Sequence, residues 1–169
     1  MSDFIKHECG VAFIRLLKPL AYYKEKYGDI HYGLTKMYLL MEKQHNRGQD
    51  GAGIATIKLD CQPGYRYYDR IRSVDSRAIK DIFETIFSQF SDLSDDELLA
   101  MNDMDYVKNQ YQFMGELLMG HLRYGTHGGN SMHNCHPRIR SNNWMTRTLF
   151  IAGNFNLTNV NDLFQNLVN

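Results

Sequence analysis

The sequence predicts a single globular domain of mixed α+β class, and three observations carry that prediction. The chain has 169 residues, 43% of them apolar and 12% aromatic, enough to build one real core. Short apolar runs bounded by glycine or proline read as buried strands. Between them lie longer segments whose apolar residues recur at helical spacing.

Taken in order, Cys9-Gly10-Val11-Ala12-Phe13-Ile14 opens the chain with a cysteine at the head of a buried strand, behind a short polar leader. Lys18-Pro19 breaks the strand, and Ala21 to Asp29 is polar and rich in tyrosine. Leu34, Met37, Tyr38 and Met41 then mark a helix that ends near Gln44-His45-Asn46. Three glycines alternate with polar residues from Arg47 to Gly53, which makes a tight loop feeding a strand over 54–59. Pro63-Gly64 turns that strand into a hairpin whose return is Tyr65 to Tyr68.

The span from Ser76 to Phe90 predicts an amphipathic helix, with Ile79, Ile82, Phe83, Ile86, Phe87 and Phe90 on one face and Asp75 or Ser76 as cap. Ser94 to Glu97 is a capping box, and the acidic helix it starts, to about Val107, reads as a solvated surface excursion. Glu116 to Arg123 is the next strand, followed by a glycine-rich loop from Tyr124 to Asn130 and by Asn134-Cys135-His136-Pro137. Thr148 to Ala152 reads as a further buried strand, and Val160 to Val168 as the start of an amphipathic helix. Because the chain stops inside that helix, it is expected to be a truncated piece of something longer.

Charge and cysteine content narrow the function. The 19 basic and 19 acidic residues cancel, so bulk electrostatics favours neither nucleic acid nor an anionic membrane. No apolar run reaches the ~18 residues of a membrane span, and the first residues lack a secretory layout. Three scattered cysteines form no disulfide framework, and a reducing cytoplasm is the expected compartment.

Four polar, glycine-bearing loops hang from strand or helix ends: Cys9-Gly10, Arg47 to Gly53, Arg123 to Gly128, and Gly153 to Asn156. A thiol, two guanidinium groups and an asparagine amide are a kit for acyl transfer, since the thiolate attacks, an arginine grips a carboxylate and amide N–H groups hold an oxyanion. Two other readings stay open. Cys9 can be core filler, and His121, His127, His133, Cys135 and His136 can be zinc ligands, although adjacent Cys135 and His136 rarely reach one tetrahedral ion. Cys61 reads as an inert turn or strand residue.

Cys9-Gly10-Val11, Gln44 to Gly53, Gly120 to Gly128 and Asn154 to Asn159 together resemble, in four collinear blocks spanning nearly the whole chain, the glutaminase domain of amidophosphoribosyltransferases. These are class II glutamine amidotransferases of the N-terminal-nucleophile (Ntn) hydrolase group. The resemblance implies an αββα sandwich of two antiparallel sheets between helical layers, truncated here at its C-terminus. It implies that residues 1–8 are a leader whose removal exposes Cys9, that 9–169 are a partial glutaminase domain, and that the phosphoribosyltransferase domain is absent. A free α-amine titrates near ~8 and a thiol near ~8.5, so the amine of Cys9 can serve as base for its own thiol once Glu8 is gone.

Carried over by position, Cys9 attacks the side-chain amide of glutamine, while the Asn154 side chain and the Phe155 backbone N–H form the oxyanion hole. Arg47 stands beside the nucleophile and orders its loop; Arg123, Thr126 and His127 hold the substrate carboxylate. The implied product, ammonia, converts phosphoribosyl pyrophosphate to phosphoribosylamine in purine synthesis. No metal is expected in this chain, Mg2+ belonging only to the absent domain. Glutamine and the downstream domain are the expected partners, and the full-length enzyme is expected to be a homo-oligomer.

Three departures stand out: Phe155 where the family has glycine, an extra Asn46 before Arg47, and an acidic insertion from Ser94 to Asp105. Two alternatives accompany this reading. One is an amidotransferase that aminates a sugar phosphate, and the other a non-catalytic scaffold or regulator that keeps its leader.

Overall fold

A computed structural model describes residues 8–125, 131–154 and 159–168. Its centre is a four-stranded antiparallel sheet of β1 (Gly10–Arg15), β2 (Ala52–Ile57), β3 (Tyr68–Ser73) and β4 (Leu117–Leu122), in the order β1-β4-β2-β3. The fold is therefore α+β with an antiparallel sheet, as the alternation of apolar runs and helical stripes predicts. In register, Gly10 and Ala52 both face Leu122, while Val11 and Gly53 both face His121. Because side chains alternate along a strand, these rows define the two faces of the sheet.

Two helices cover the first face. The helix α2 (Tyr32–Lys43) packs on β1 and β4, and α3 (Ala78–Ser88) packs on β2 and β3. Met37 and Met41, both buried, lie directly over Gly120, where a Cβ would meet their sulfurs at 2.7 and 2.8 Å. Ala12, Ile54, Leu118 and Leu122 of the sheet and Ile79, Ile82, Phe83 and Ile86 of α3 complete this core.

Several elements differ from the sequence expectation. The polar, tyrosine-rich stretch after Pro19 is a helix, α1 (Leu20–Tyr27), closed by Gly28 at φ 66°. Its apolar side is made of rings: Tyr23 stacks on Tyr32 at 4.9 Å and Tyr27 on Tyr32 at 4.5 Å, which a scan for aliphatic residues misses. The return of the first hairpin is Tyr68 to Ser73, not Tyr65 to Tyr68. The start of α3 is not capped by the Asp75 or Ser76 side chain, since Arg77 holds the N-cap position; Asp75 instead accepts the Arg77 N–H at 2.9 Å, a turn just ahead of the helix.

The acidic segment is two helices, α4 (Asp95–Ala100) and α5 (Met104–Gln110), and the Ser94–Glu97 capping box is present. It is not solvated throughout, because Met101, Met104 and Val107 are buried in the core behind α1. The final strand is likewise not a buried one. It is β6 (Leu149–Ile151), which pairs only with the short β5 (Arg138–Arg140) and leaves Leu149 50% and Ile151 41% exposed. The expected last helix forms as α6 (Val160–Val168), with no buried residue.

The β5/β6 hairpin region meets the second face of the large sheet. Phe150 packs edge-on against Tyr68 at 5.5 Å, the Tyr67 hydroxyl bonds the Thr148 hydroxyl at 2.6 Å, and Arg72 donates to the Cys135 carbonyl at 2.9 Å. At Gly53 the two parts approach closely, since a side chain there would collide with the carbonyl of His136. On β1, Val11 and Phe13 of this same face remain 44% and 57% exposed.

Candidate functional site

Antiparallel pairing brings the predicted loops together at one end of the sheet. Cys9 precedes β1, Arg123 follows β4 and Gly51 precedes β2, and the register aligns these three ends. Beyond the last ladder pairs, the Arg123 N–H donates to the Gly51 carbonyl at 2.8 Å and the Asp50 N–H to the Arg123 carbonyl at 3.0 Å. The Tyr124 N–H donates to the sulfur of Cys9 at 3.4 Å. Cys9 is half-buried, so its thiol is seated on the end of β4 without being closed off from solvent.

The loop after α2 is pressed onto this arrangement. At Gly48 a Cβ would lie 2.7 Å from the backbone carbonyl of Arg123, so only glycine lets the two chains approach so closely. The Asp50 carboxylate then accepts the Gly125 N–H at 2.7 Å and ties the second loop to the third. Arg47 sits in a 3₁₀ turn (His45–Arg47), and its guanidinium lies 3.3 Å from the carboxylate of Glu8, the residue bonded to the Cys9 nitrogen. Both side chains are about half exposed, so the pair contributes little to stability and chiefly orients the two groups.

Arg123 itself is 4% exposed. Its guanidinium runs beside Gly125, and its charge opposes protonation of the nearby His121 and His136. The fourth loop arrives through the second face. His121 Nε2 lies 3.3 Å from the Gly153 carbonyl, and His136 Nδ1 lies 3.4 Å from the Gly153 nitrogen and 3.2 Å from its oxygen. Asn154 is therefore the exposed residue immediately after a peptide anchored on β4. Burial pushes His121 down to about 4, with His136 and Arg123 acting in the same direction. Burial likewise lowers His136 and raises the thiol of Cys135.

Of the residues expected from the sequence, Cys9, Arg47, Arg123 and Asn154 are held at or beside this end of the sheet. Thr126, His127 and Phe155 lie outside the described residues. Sequence reasoning missed Asp50, which links two of the loops, and the Tyr124 N–H, a backbone group that no side-chain pattern announces. Beside the zinc reading, the sequence also allows His121 and His136 to be hydrogen-bonded loop or core residues, and that is where they lie; their adjacency, with ring centroids 4.7 Å apart, is a product of the fold. Cys61 lies in the turn after β2, its sulfur 3.7 Å from the Asn109 side chain.

Among the described residues, no three His, Cys, Asp or Glu side chains gather as metal ligands, and no helix is long and apolar enough to cross a membrane. Searches of family models, curated proteins and solved structures found no match to the chain.

Proposed function

We propose that this chain is the N-terminal glutaminase part of an amidophosphoribosyltransferase-like class II amidotransferase, with Cys9 as its nucleophile. The observation that carries the reading is the meeting of a solvent-accessible thiol, two arginines and the Gly153-Asn154 peptide at one sheet end, from four segments far apart in sequence. An Ntn-hydrolase sandwich fits the same observation. The β5/β6 hairpin would belong to a second sheet on the face where Val11 and Phe13 are exposed.

Chemistry then follows from the positions. Hydrolysis of the Glu8–Cys9 bond turns an amide nitrogen into an amine that can take the thiol proton. The thiolate adds to the side-chain carbonyl of glutamine, and the oxygen of the adduct is stabilised by the Asn154 amide and the Phe155 N–H. The proton held by the amine passes to the leaving nitrogen; ammonia departs and a glutamyl thioester remains. Water hydrolyses the thioester to glutamate and regenerates Cys9. Arg123, with Thr126 and His127, holds the substrate carboxylate by charge-assisted hydrogen bonds. Ammonia made in this way is used by a separate phosphoribosyltransferase domain, with cytoplasmic purine synthesis as the setting.

Arg47 has a part before and after processing in this scheme. While the leader is attached it holds the Glu8 carboxylate; once Glu8 leaves, its guanidinium is released from that partner. The same contact favours one second reading, a non-catalytic descendant in which Glu8 is kept and Arg47 is permanently occupied. Intact mass of the protein from its own host separates the two. A mass lacking residues 1–8 is the expected result. A mass that retains them, together with no release of glutamate from glutamine, would overturn the glutaminase reading. The 169-residue chain alone is expected to hydrolyse glutamine slowly.

A further inference from the structure

We propose that His121 and His136 are positioning residues that grip the backbone N–H and carbonyl of Gly153 and so set the place of the Asn154 amide relative to Cys9. The inference rests on the glutaminase reading of the previous subsection and adds to it the part that builds the oxyanion site.

His121 is the residue of β4 opposite both Val11 and Gly53, two positions before Arg123, and it is 1% exposed. His136, 8% exposed, reaches the same place because Gly53 lacks a side chain and lets the 136 carbonyl sit against the strand. The two rings lie 4.7 Å apart with Gly153 between their nitrogens.

Nδ1 of His136 lies 3.4 Å from the Gly153 nitrogen and 3.2 Å from its oxygen; with the carbonyl taken by His121, that nitrogen accepts the Gly153 N–H and the ring carries its proton on Nε2. The Gly153 carbonyl then takes its hydrogen bond from the Nε2–H of His121. Both rings are neutral in this arrangement, which agrees with the effect of burial and of the neighbouring Arg123, Arg72 and Arg138 charges. Nδ1 of His121 is buried with no hydrogen-bond partner among the described residues, a cost that the fold tolerates for this ring.

Gripping Gly153 at both ends fixes the peptide that leads into Asn154. The ladder carries that position to Cys9, because His121 and the end of β4 under the thiol are parts of one strand. An amide donor works as an oxyanion stabiliser only if it is placed before the reaction, and about 1 Å of misplacement can cost ~100-fold in rate.

The test has two parts. In the wild-type protein, ring 15N resonances report the tautomers. The inference requires a protonated Nε2 and an unprotonated Nδ1 on both rings, and a proton on Nδ1 of either would overturn it. In the second part, Cys9 is labelled by a chloroketone analogue of glutamine, whose carbon forms a bond to sulfur as chloride leaves, and separately by iodoacetamide.

His121→Leu and His136→Leu are expected to slow the analogue by about ten- to a hundred-fold and to leave iodoacetamide labelling unchanged. His121→Gln and His136→Asn, which restore a donor and an acceptor in place, are expected to recover most of the rate. Folded leucine variants that react with the analogue as fast as wild type would overturn the positioning role and leave the glutaminase reading intact. A wild-type protein that iodoacetamide labels and the analogue does not would remove the glutaminase reading, and this inference with it. Where a leucine variant does not fold, the wild-type tautomers decide.

Discussion

The two ends of the central sheet handle polar groups in opposite ways. At the end away from Cys9, charges are buried and held by partners within the protein. Lys108 bonds Glu116 at 2.6 Å and the Leu59 carbonyl, Glu116 also accepts the Leu59 N–H at 2.8 Å, and Lys58, 2% exposed, donates to the Tyr111 carbonyl at 2.8 Å. Asp69, 1% exposed, accepts the N–H of Phe113, whose φ of 61° is unusual for such a residue. At the Cys9 end, the thiol, Arg47 and Asn154 are reached by solvent, and the buried groups behind them are hydrogen-bonded to backbone. Burial of charge does not separate a site from a scaffold here. The difference is that one end closes its polar groups on each other while the other presents them outward.

The largest effect should come from Cys9, the proposed nucleophile. Cys9→Ser is expected to lower glutamine hydrolysis by at least ~1000-fold while leaving the urea midpoint nearly unchanged, since the thiol is only half-buried. Hydrolysis that survives the change would break the comparison at the site end.

Glu116→Ala should do the reverse. It leaves the Lys108 ammonium buried without its carboxylate, a loss on the order of 3–5 kcal/mol by denaturant titration. Labelling of Cys9 per folded molecule should stay as in wild type. An unchanged unfolding midpoint would mean that the far end is not the structural one.

Acid gives the smallest and most gradual effect. An unfolded chain protonates its histidines near 6.5, whereas His121 stays neutral in the folded state down to about 4. The unfolded state therefore binds more protons in that window, and stability falls as pH drops from about 6.5 to about 4, by up to roughly 3 kcal/mol for this group. His136 adds in the same direction, with Arg123, Arg72 and Arg138 as the cations facing the pair. Unfolding midpoints measured across the window should flatten in His121→Gln; an identical slope in that variant would assign the acid sensitivity elsewhere.

Legibility followed the kind of signal each element carries. The strand behind Cys9, the helix stripe of Leu34, Met37 and Met41 and the Ser94–Glu97 capping box were readable because aliphatic periodicity and capping chemistry are local. Helix α1 was not, because its apolar side is a set of tyrosine rings that meet Tyr32 of the next helix. The acidic segment misled for a related reason: Met101, Met104 and Val107 are too few to show a stripe, yet the core takes them in. Among the candidate site residues, Cys9, Arg47, Arg123 and Asn154 are visible as chemistry-bearing side chains in glycine-rich loops. Asp50, the Tyr124 N–H and the histidine grip on Gly153 act across 75, 115 and 32 positions of sequence.

By itself the sequence determined the mixed class of the fold, the strands β1, β2 and β4 and most helices, and the four loops in which a thiol, guanidinium groups and an amide are displayed. Those features come from periodicity, turn residues and side-chain chemistry, all of which act over a few residues of chain. Only the tertiary structure decided that β1, β4 and β2 align their loop-bearing ends, that Gly48 and Gly53 let neighbouring backbone come into contact, and that two buried histidines flank Gly153. Strand register and close packing are set by contacts between distant segments, which no local pattern encodes.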